Sequence, residues 1–302
     1  RAGHAWEQLG LPAMTARCAL VYSPANLAPA LSGRNVVVIH DVAALRHPDA
    51  YSRGYVAYQR RLLPLLARRA RLVITVSEFS RSELVDVLGI APARIRVIPE
   101  GVDERMFAEP RTSALTERSA LRRPYVLAVG TVSARKNLSI LGPAARALAE
   151  RGVELVVAGS DRGYLRGPGV NLRRLGYVPD ERLPALYAGA LALAMPSRYE
   201  GFGLPCLEAM ACGTPVVAAA AGALPETVGE AALLADPDDA DEFAQALLVA
   251  ACDATERRRL IEAGRARAAM FSWNSTAEMT DSAIAELLED ARSPSRLLPA
   301  DV

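Results

Sequence analysis

The chain has 302 residues, which is enough for two α/β domains of about 100 to 200 residues each. Hydrophobic residues make up 51% of it but aromatic residues only 5%, so Ala, Leu and Val must fill the interior. The 35 Lys and Arg residues nearly balance the 34 Asp and Glu residues, which excludes a general attraction to nucleic acid.

Four scattered cysteines lack C-x-x-C or Cys/His spacing, which argues against a zinc site and against a disulfide framework. There is no apolar run of about 18 residues or more, as a membrane span needs, and no signal sequence opens the chain. We therefore expect a protein of the reducing cytoplasm, with no nucleic acid partner.

Short aliphatic runs alternate with amphipathic stretches, which is typical of parallel strands joined by helical crossovers. The first set of predicted strands is Ala19–Tyr22, Val36–Ile39, Leu72–Val76 and Ile95–Ile98. The second set is Tyr125–Val129, Glu154–Ala158, Val170–Leu175, Leu191–Met195 and Pro215–Ala218. The segment between the sets lacks periodicity. We predict a first domain over residues 1–105, a linker over 106–123 and a second domain over 124–302.

The second set of strands can build a full open sheet, whereas the first set supplies only about half of one. We therefore expect the first domain to be incomplete at its N-terminus. A naturally small lid domain is the alternative.

Polar residues follow two strands of the first domain. His40 and Asp41 come directly after Val36–Ile39, and Ser77 follows Leu72–Val76. Carboxyl ends of parallel strands are where open sheets bind ligands, so these residues are candidates for a site. The alternatives are that His40 bonds the backbone, that Asp41 caps a turn and that Ser77 only caps a helix.

The stretch Arg53–Arg71 carries six arginines among leucines and tyrosines. A basic amphipathic helix of this kind can lie on an anionic membrane surface. The alternative is a solvated charged face over a buried leucine stripe.

Two cations follow the first strand of the second domain. Gly130 allows a tight turn there, and Arg135 and Lys136 precede a helix predicted to start near Asn137. Fixed cations at this place can neutralise a diphosphate. A solvated basic pair is the alternative.

A glycine-rich loop, Ser197–Pro205, lies between the strand Leu191–Met195 and a predicted helix Cys206–Cys212. Gly201 and Gly203 let the backbone approach a ligand, and the first N–H groups of the helix attract phosphate. Glu200 and Glu208 add two carboxylates that can accept hydrogen bonds from a sugar and from a vicinal diol. The alternative is a structural turn with a solvated Glu208.

The run EGFGLPCLEAMACGTPVV, from Glu200 to Val217, resembles the two-glutamate signature of retaining family 4 glycosyltransferases, also called glycosyl transferases group 1. Similarity continues at Val97–Asp103, Val129–Thr131, Arg135–Asn137 and Pro225–Gly229. This resemblance implies two Rossmann-like domains facing across a cleft, the GT-B type of α/β fold, with a nucleotide-sugar donor held by the second domain. It also implies that the last predicted helix, Ser275–Leu288, packs back on the first domain.

The resemblance also assigns roles to residues. It places Glu200 against the donor sugar, Glu208 on the nucleoside ribose, and His40 beside the reacting sugar, so that His40 and Glu200 are the candidate catalytic residues. The other candidate donor-binding residues are Gly130, Arg135, Lys136, Gly201, Phe202, Gly203 and Leu204. Asp41 and Ser77 are candidates for the acceptor side.

Two positions depart from the family pattern. Thr131 stands where the family often has arginine, and Glu100 stands where it usually has asparagine. The first departure leaves open which cation meets the diphosphate, and the second could alter the cleft between the domains.

The resulting expectation is retaining transfer of a hexose to a polysaccharide or lipid-linked acceptor, with peripheral contact at the inner face of the membrane. The resemblance to mannosyltransferases suggests mannose from GDP-mannose as the donor. A catalytically silent nucleotide-sugar-binding module, or a truncated transferase, is the alternative. An NAD-dependent oxidoreductase would need a third glycine that Gly201-Phe202-Gly203 lacks.

No metal or other cofactor is expected. Asp236–Asp241 has the D-x-D spacing that can hold a divalent ion. These acids precede a predicted helix, Glu242–Ala251, and we interpret them as the cap of its N-terminus.

Overall fold

The computed structural model describes residues 6–108, 121, 123–160, 163–165 and 172–292. Within these residues, ten strands form two wholly parallel sheets. The strands are β1 Val21–Ser23, β2 Asn35–Val38, β3 Leu72–Thr75, β4 Ile95–Val97, β5 Tyr125–Val129, β6 Glu154–Ala158, β7 Arg173–Gly176, β8 Ala192–Met195, β9 Val216–Ala219 and β10 Leu233–Ala235.

The nine predicted strands are therefore confirmed, with shifts at their ends, although residues 170 and 171 of the seventh lie outside the described residues. The short strand β10 was missed. It has three residues, and only Ala235 is fully buried, so its pattern is too weak to distinguish it from a loop.

The α-helices are α1 Leu11–Met14, α2 Ala43–Arg46, α3 Arg53–Arg69, α4 Glu78–Leu88, α5 Gly142–Ala149, α6 Leu183–Ala188, α7 Leu204–Ala211, α8 Leu224–Val228, α9 Ala240–Cys252, α10 Ala254–Ala268 and α11 Trp273–Arg292. Short 3-10 helices include Pro48–Ala50, Ala134–Lys136 and Leu138–Leu141. No helix in this described part of the chain is long and apolar enough to cross a bilayer.

The six-stranded sheet has the order β7-β6-β5-β8-β9-β10. The order of strand addition reverses between β5 and β8, which is the Rossmann arrangement with its ligand crevice at the carboxyl ends of those two strands. The core of this domain is continuous and includes the fully buried Leu127, Leu193 and Phe243. The loops after β5 and β8 therefore meet at the point where such sheets bind ligands.

The four-stranded sheet has the order β1-β2-β3-β4, and its β2 pairs with β3 from Val36–Leu72 to Val38–Ile74. Helices α3 and α4 contribute Leu66 and Leu84 to the core on one face. The other face packs against Ala283 of α11. The chain therefore returns to the first sheet after completing the second domain.

Only glycine fits at position 101, where the start of α11 packs against the first domain. A Cβ added to Gly101, just after β4, would lie 2.1 Å from the backbone nitrogen of Trp273, at the start of α11. Thr276 Oγ1 of α11 donates to the carbonyl of Pro99 at 2.7 Å. The two segments are thus in direct backbone contact.

Three local predictions are confirmed. Helix α3 forms with Leu62, Leu63 and Leu66 buried, below a face of exposed arginines. Ser77 caps α4 by accepting from Ser80 N. Asp239 caps α9 by accepting from the backbone nitrogens of Asp241 and Glu242.

The helical segment predicted to start near Asn137 begins there, but its first turn is a 3-10 helix. This turn, Leu138–Leu141, runs directly into α5 at Gly142, and a separate 3-10 helix, Ala134–Lys136, precedes Asn137. Asn137 between the two has a left-handed backbone with φ of 52°, which asparagine tolerates better than most residues. The two cations therefore lie on the tight turn that precedes the helical segment.

Candidate active site

Four strand ends converge between the two sheets. The loop after β8 meets the first sheet at Gly201, whose carbonyl accepts from Ser77 Oγ at 2.6 Å. Ser80 Oγ lies 2.8 Å from the carbonyl oxygen of His40 and 3.0 Å from that of Gly201. A Cβ on residue 201 would lie 2.6 Å from the His40 carbonyl oxygen. Glycine at this position thus lets the loop of the second domain approach the end of β2.

A second contact between the domains is a helix cap. The carboxylate of Glu226 accepts from the backbone nitrogens of Glu78 at 2.8 Å and Phe79 at 3.1 Å. These N–H groups open α4 and have no partner within the helix. Because an acid is favoured at this positive end, Glu226 joins α8 of the second domain to α4 of the first.

Glu200 is buried between two cations. Its Oε1 lies 2.7 Å from Lys136 Nζ and 3.0 Å from an Arg135 guanidinium nitrogen. Burial opposes ionisation, but the charges of Lys136 and then Arg135 outweigh it and lower the pKa of Glu200 to about 2. The carboxylate is therefore ionised at neutral pH, in a cluster that carries one excess positive charge.

Local backbone geometry explains how the cations reach Glu200. Gly130 ends β5 with φ of 142°, and a Cβ on it would lie 3.0 Å from Lys136 Cε. Arg135 also donates to the carbonyl of Tyr199 at 2.7 Å. Both predicted cations are thus directed across the switch point into the loop after β8.

Glu208 lies in a different environment on α7. Its Oε2 accepts from the hydroxyl of Tyr187 at 2.7 Å, and the ring of Tyr187 is fully buried. Burial raises the pKa of Glu208, the Tyr187 hydrogen bond opposes the rise, and the charges of Asp180, Asp103 and Glu100 add to it. No cation is bonded to Glu208 among the described residues.

His40 lies at the end of β2 with side chains on both sides of its ring. Nδ1 is 3.2 Å from Asn26 Oδ1, which also accepts from His40 N at 2.8 Å. Nε2 is 3.3 Å from Glu100 Oε1. Asp41 accepts from Ala43 N at 2.9 Å, which is the turn-capping alternative considered above. His40 is therefore held by side chains, whereas Asp41 supports the backbone.

The remaining predicted residues shape the loop before α7. Phe202 is buried and packs edge to face on Phe271 with ring centroids 5.7 Å apart. Gly203 has φ of 100°, a conformation that glycine adopts readily, and Leu204 is the first residue of α7. The predicted helix thus starts two residues earlier than expected and ends at Ala211.

Ser77 is buried, and its hydroxyl both caps α4 and bonds Gly201. It therefore connects the domains in this structure. Its contact with an acceptor stays a prediction.

Sequence reasoning missed three residues of this region. Asn26 orients His40, Tyr187 bonds Glu208, and Glu226 caps a helix of the other domain. Each acts on a residue far from it in the chain, so no local spacing indicates its partner. Glu226 alone had a signal, because it falls in one of the family-like segments.

Among the described residues, no group of three or more His, Cys, Asp or Glu side chains is arranged to hold a metal ion.

Two parallel sheets whose strand ends meet, with a buried carboxylate–cation cluster at the switch point of the second, match the GT-B fold of glycosyltransferases. Solved structures share this fold. Sucrose-phosphate synthase from Thermosynechococcus elongatus matches with a TM-score of 0.74 and 26% identity, over 94% of this chain and 77% of that one. WaaG, a glycosyltransferase involved in lipopolysaccharide biosynthesis, matches in fold with a TM-score of 0.69 and 20% identity, over 91% of this chain and 80% of that one.

Family models and relatives agree with the fold. The model of glycosyl transferases group 1 matches residues 116–267, and that of glycosyltransferase family 4 matches residues 14–105. The chain belongs to the glycosyl transferases group 1 family, and it resembles mannosyltransferases within that family.

Two mannosyltransferases are among its relatives. O-antigen chain mannosyltransferase B of Escherichia coli is 35% identical over 82% of this chain and 69% of its own length. MMP alpha-(1->4)-mannosyltransferase of Mycolicibacterium hassiacum is 37% identical over 75% of this chain. The match spans 56% of that enzyme's length.

Proposed function

We propose that the chain acts as a retaining glycosyltransferase that moves a hexose from a nucleoside-diphosphate sugar to a saccharide or lipid-linked acceptor. The observation that carries this proposal is the buried cluster of Glu200, Arg135 and Lys136 at the carboxyl ends of β5 and β8. A diphosphate needs fixed cations, and the switch point is where an open α/β sheet binds its ligand.

The cluster suggests how a donor would bind. Lys136 and Arg135 neutralise the diphosphate, and Glu200 changes from their counterion into an acceptor for hydroxyl groups of the donor sugar. In the transfer, the bond between the anomeric carbon and the diphosphate oxygen breaks, and a bond to the acceptor oxygen forms on the same face. The departing phosphate takes the acceptor's proton. Cations that are already in place stabilise the negative charge as it develops.

Glu208 is proposed to bind the ribose. Tyr187 donates to Oε2, and Oε1, together with the remaining lone pair of Oε2, is proposed to accept from the vicinal hydroxyl groups. An ionised carboxylate accepts both hydrogen bonds, whereas a protonated one offers one acceptor fewer. His40, held by Asn26 and Glu100, is proposed to lie beside the reacting sugar.

We propose mannose from GDP-mannose as the donor, since the relatives named above include two mannosyltransferases. The proposed boundaries are a first domain over residues 1–105, a linker over 106–123 and a donor-binding domain over 124–302. Of the linker, residues 109–120 and 122 lie outside the described residues. The reaction is proposed to need no metal, so that EDTA should leave the rate of transfer unchanged.

Cytoplasmic location with peripheral contact at the inner face of the membrane is also a proposal. It is supported by the exposed arginines at the carboxyl-terminal end of α3, Arg68 and Arg69. Sedimentation with anionic liposomes at low salt tests the contact, and absence of binding would end it.

The test of the proposed function is a thermal-shift panel of UDP, GDP, ADP and their sugars. A ligand that binds only the native state raises the unfolding temperature by mass action. We expect a shift with one nucleoside diphosphate and its sugar, and a reduced shift in Lys136→Met. No shift with any nucleotide would contradict the proposal.

The alternative is a catalytically silent nucleotide-sugar-binding module or a truncated transferase. It is favoured by the smaller first sheet, which has four strands among the described residues against six in the second sheet. Nucleotide binding without transfer or donor hydrolysis by this chain would select this alternative. Transfer by the full-length gene product would then identify a truncated transferase, and its absence a silent module.

A further inference from the structure

A cavity of about 390 Å³ lies on the first domain, beside the amino-terminal half of α3. Arg53, Arg60 and Arg61 line it together with Pro48 and Asp49 from the preceding turn. None of these residues is among the candidate donor-binding residues. The cavity is therefore a separate feature of the acceptor-side domain.

Helical spacing places the three arginines on one face. Positions i, i+7 and i+8 lie on the same side of an α-helix, with i+3 and i+4 between them. Those intermediate positions are Val56 and Ala57, which also line the cavity. Their short side chains leave room between the guanidinium groups, so that the cavity has an apolar floor and a basic rim.

The charges of this rim are not neutralised by ion pairs. Arg53, Arg60 and Arg61 are exposed, and none of them bonds a carboxylate within the described residues. Arg46, on the preceding helix, contrasts with them because it pairs with Glu83 at 2.8 Å. Three positive charges therefore face the single carboxylate of Asp49.

Guanidinium groups bind phosphate through two parallel hydrogen bonds, and several of them around one cavity favour an anion with more than one negative charge. Arg53 is also the first residue of a 17-residue helix, whose amino-terminal end attracts anions. The rim and the helix dipole thus favour the same kind of ligand.

The cavity adjoins the candidate active site. The turn Pro48–Ala50, which forms part of its wall, packs against Ala134–Lys136, the turn that carries the two cations beside Glu200. One turn therefore separates the cavity from the proposed diphosphate site. A ligand in the cavity would extend toward the cleft from the side of the first sheet.

We propose that this cavity binds a phosphate group carried by the acceptor, so that the acceptor of this enzyme is a phosphorylated saccharide. The proposal rests on the proposed function, in which Arg135 and Lys136 take the donor's diphosphate and leave the α3 arginines free for a second anion. The apolar floor accommodates the part of the acceptor next to the phosphate. The acceptor's own charge thus determines how it is oriented.

The test is calorimetric titration of the full chain with mannose 6-phosphate and with mannose, at saturating nucleoside diphosphate. Saturation keeps the probe away from Arg135 and Lys136. The variant is Arg60→Gln/Arg61→Gln, and the matched control is Arg68→Gln, an exposed arginine of the same helix that does not line the cavity. Thermal melting of both variants checks that they are folded.

We expect mannose 6-phosphate to bind wild type and Arg68→Gln alike, and to bind Arg60→Gln/Arg61→Gln at least about tenfold more weakly. Mannose should show no dependence on these arginines. Equal binding of the sugar phosphate to all three proteins would overturn the proposal. So would a double variant that loses binding only to phosphatidylglycerol vesicles, because the arginines would then recognise a lipid headgroup.

Nucleotide binding by the double variant separates this proposal from the proposed function. We expect the double variant to bind nucleotide as tightly as wild type, because Arg135 and Lys136 are unchanged. A chain that binds no nucleotide is titrated with the sugar phosphate alone. The absence of nucleotide binding would contradict the proposed function, whereas arginine-dependent binding of the sugar phosphate would still support a phosphate site in the cavity.

Discussion

The two glutamates of the motif are eight positions apart in the chain, yet their surroundings differ in electrostatic sign. Glu200 is buried with Lys136 and Arg135 against one of its oxygens, and its pKa falls to about 2. Glu208 is bonded to the neutral hydroxyl of Tyr187, and its pKa is raised by burial. The difference shows that similar carboxylates can have opposite electrostatic surroundings, and it is the physical basis for proposing different partners for them, a charged diphosphate sugar for Glu200 and a neutral ribose for Glu208.

This contrast predicts opposite changes in stability, which are the largest effects expected. The low pKa of Glu200 stabilises the fold above the usual carboxyl pKa of 4.5, and this contribution is lost as pH falls toward about 2. The raised pKa of Glu208 has the opposite sign, because ionisation of this buried group costs stability as pH rises above its unfolded value.

At pH 7, Glu200→Gln should therefore lower the free energy of unfolding by about 3 to 5 kcal/mol, since it leaves two buried cations without their counterion. Glu208→Gln should raise it by about 1 kcal/mol, since a neutral amide removes the cost of a buried charge. Denaturant unfolding measures both. If both substitutions changed the free energy of unfolding in the same direction, the contrast between the two glutamates would be contradicted.

Tyr187 allows the surroundings of Glu208 to be tested through the pH dependence of nucleotide binding. Its hydrogen bond holds the pKa of Glu208 down against burial, so Tyr187→Phe should move that pKa upward. If the ionised carboxylate binds ribose, nucleotide affinity falls as pH falls through this pKa. The fall should begin at a higher pH in Tyr187→Phe, with affinity about tenfold weaker within that range.

Titrations with a nucleoside diphosphate at a series of pH values above the usual carboxyl pKa of 4.5 measure this shift. Tyr177→Phe is the matched control, because the Tyr177 side chain is exposed. A pH profile that is identical in Tyr187→Phe and wild type would show that Tyr187 only fills space.

Ser77 provides the smallest expected effect. Its hydroxyl donates to the carbonyl of Gly201, next to Glu200, and so connects this end of the motif to the first domain. The same hydroxyl caps α4. Ser77→Ala should cost about 1 kcal/mol of stability through the lost cap and hydrogen bond. Ser82→Ala, at an exposed hydroxyl of the same helix, is the control. Equal effects of the two substitutions would contradict the role assigned to Ser77.

Much of the fold could be read from the sequence because its signals are local. Buried strands such as Val36–Ile39 and Tyr125–Val129 are short apolar runs bounded by polar residues, and the glycines and cations follow them directly in the chain. The resemblance of the motif to a known family then predicted that the two domains face each other across a cleft. The helical segment after Asn137 was located correctly, but the sequence does not indicate that its first turn, Leu138–Leu141, is a 3-10 helix and that α5 itself begins at Gly142.

Partners of the site residues could not be predicted in the same way. Tyr187 and Glu208 are 21 positions apart, and Glu226 reaches Glu78 over 148 positions. Such contacts depend on how two finished domains and their helices pack, which no spacing within one segment encodes. The opposite pKa shifts of Glu200 and Glu208 depend on those contacts, so they too required the structure.

The most direct test of the account compares how a nucleoside diphosphate and inorganic pyrophosphate bind wild type, Lys136→Met and Glu208→Gln. Calorimetry should show that Lys136→Met weakens both ligands, because each needs the cation. Glu208→Gln should weaken only the nucleoside diphosphate, about tenfold, because pyrophosphate has no ribose. If Glu208→Gln weakened both ligands equally, or Lys136→Met weakened neither, the division of the motif into a diphosphate end and a ribose end would be contradicted.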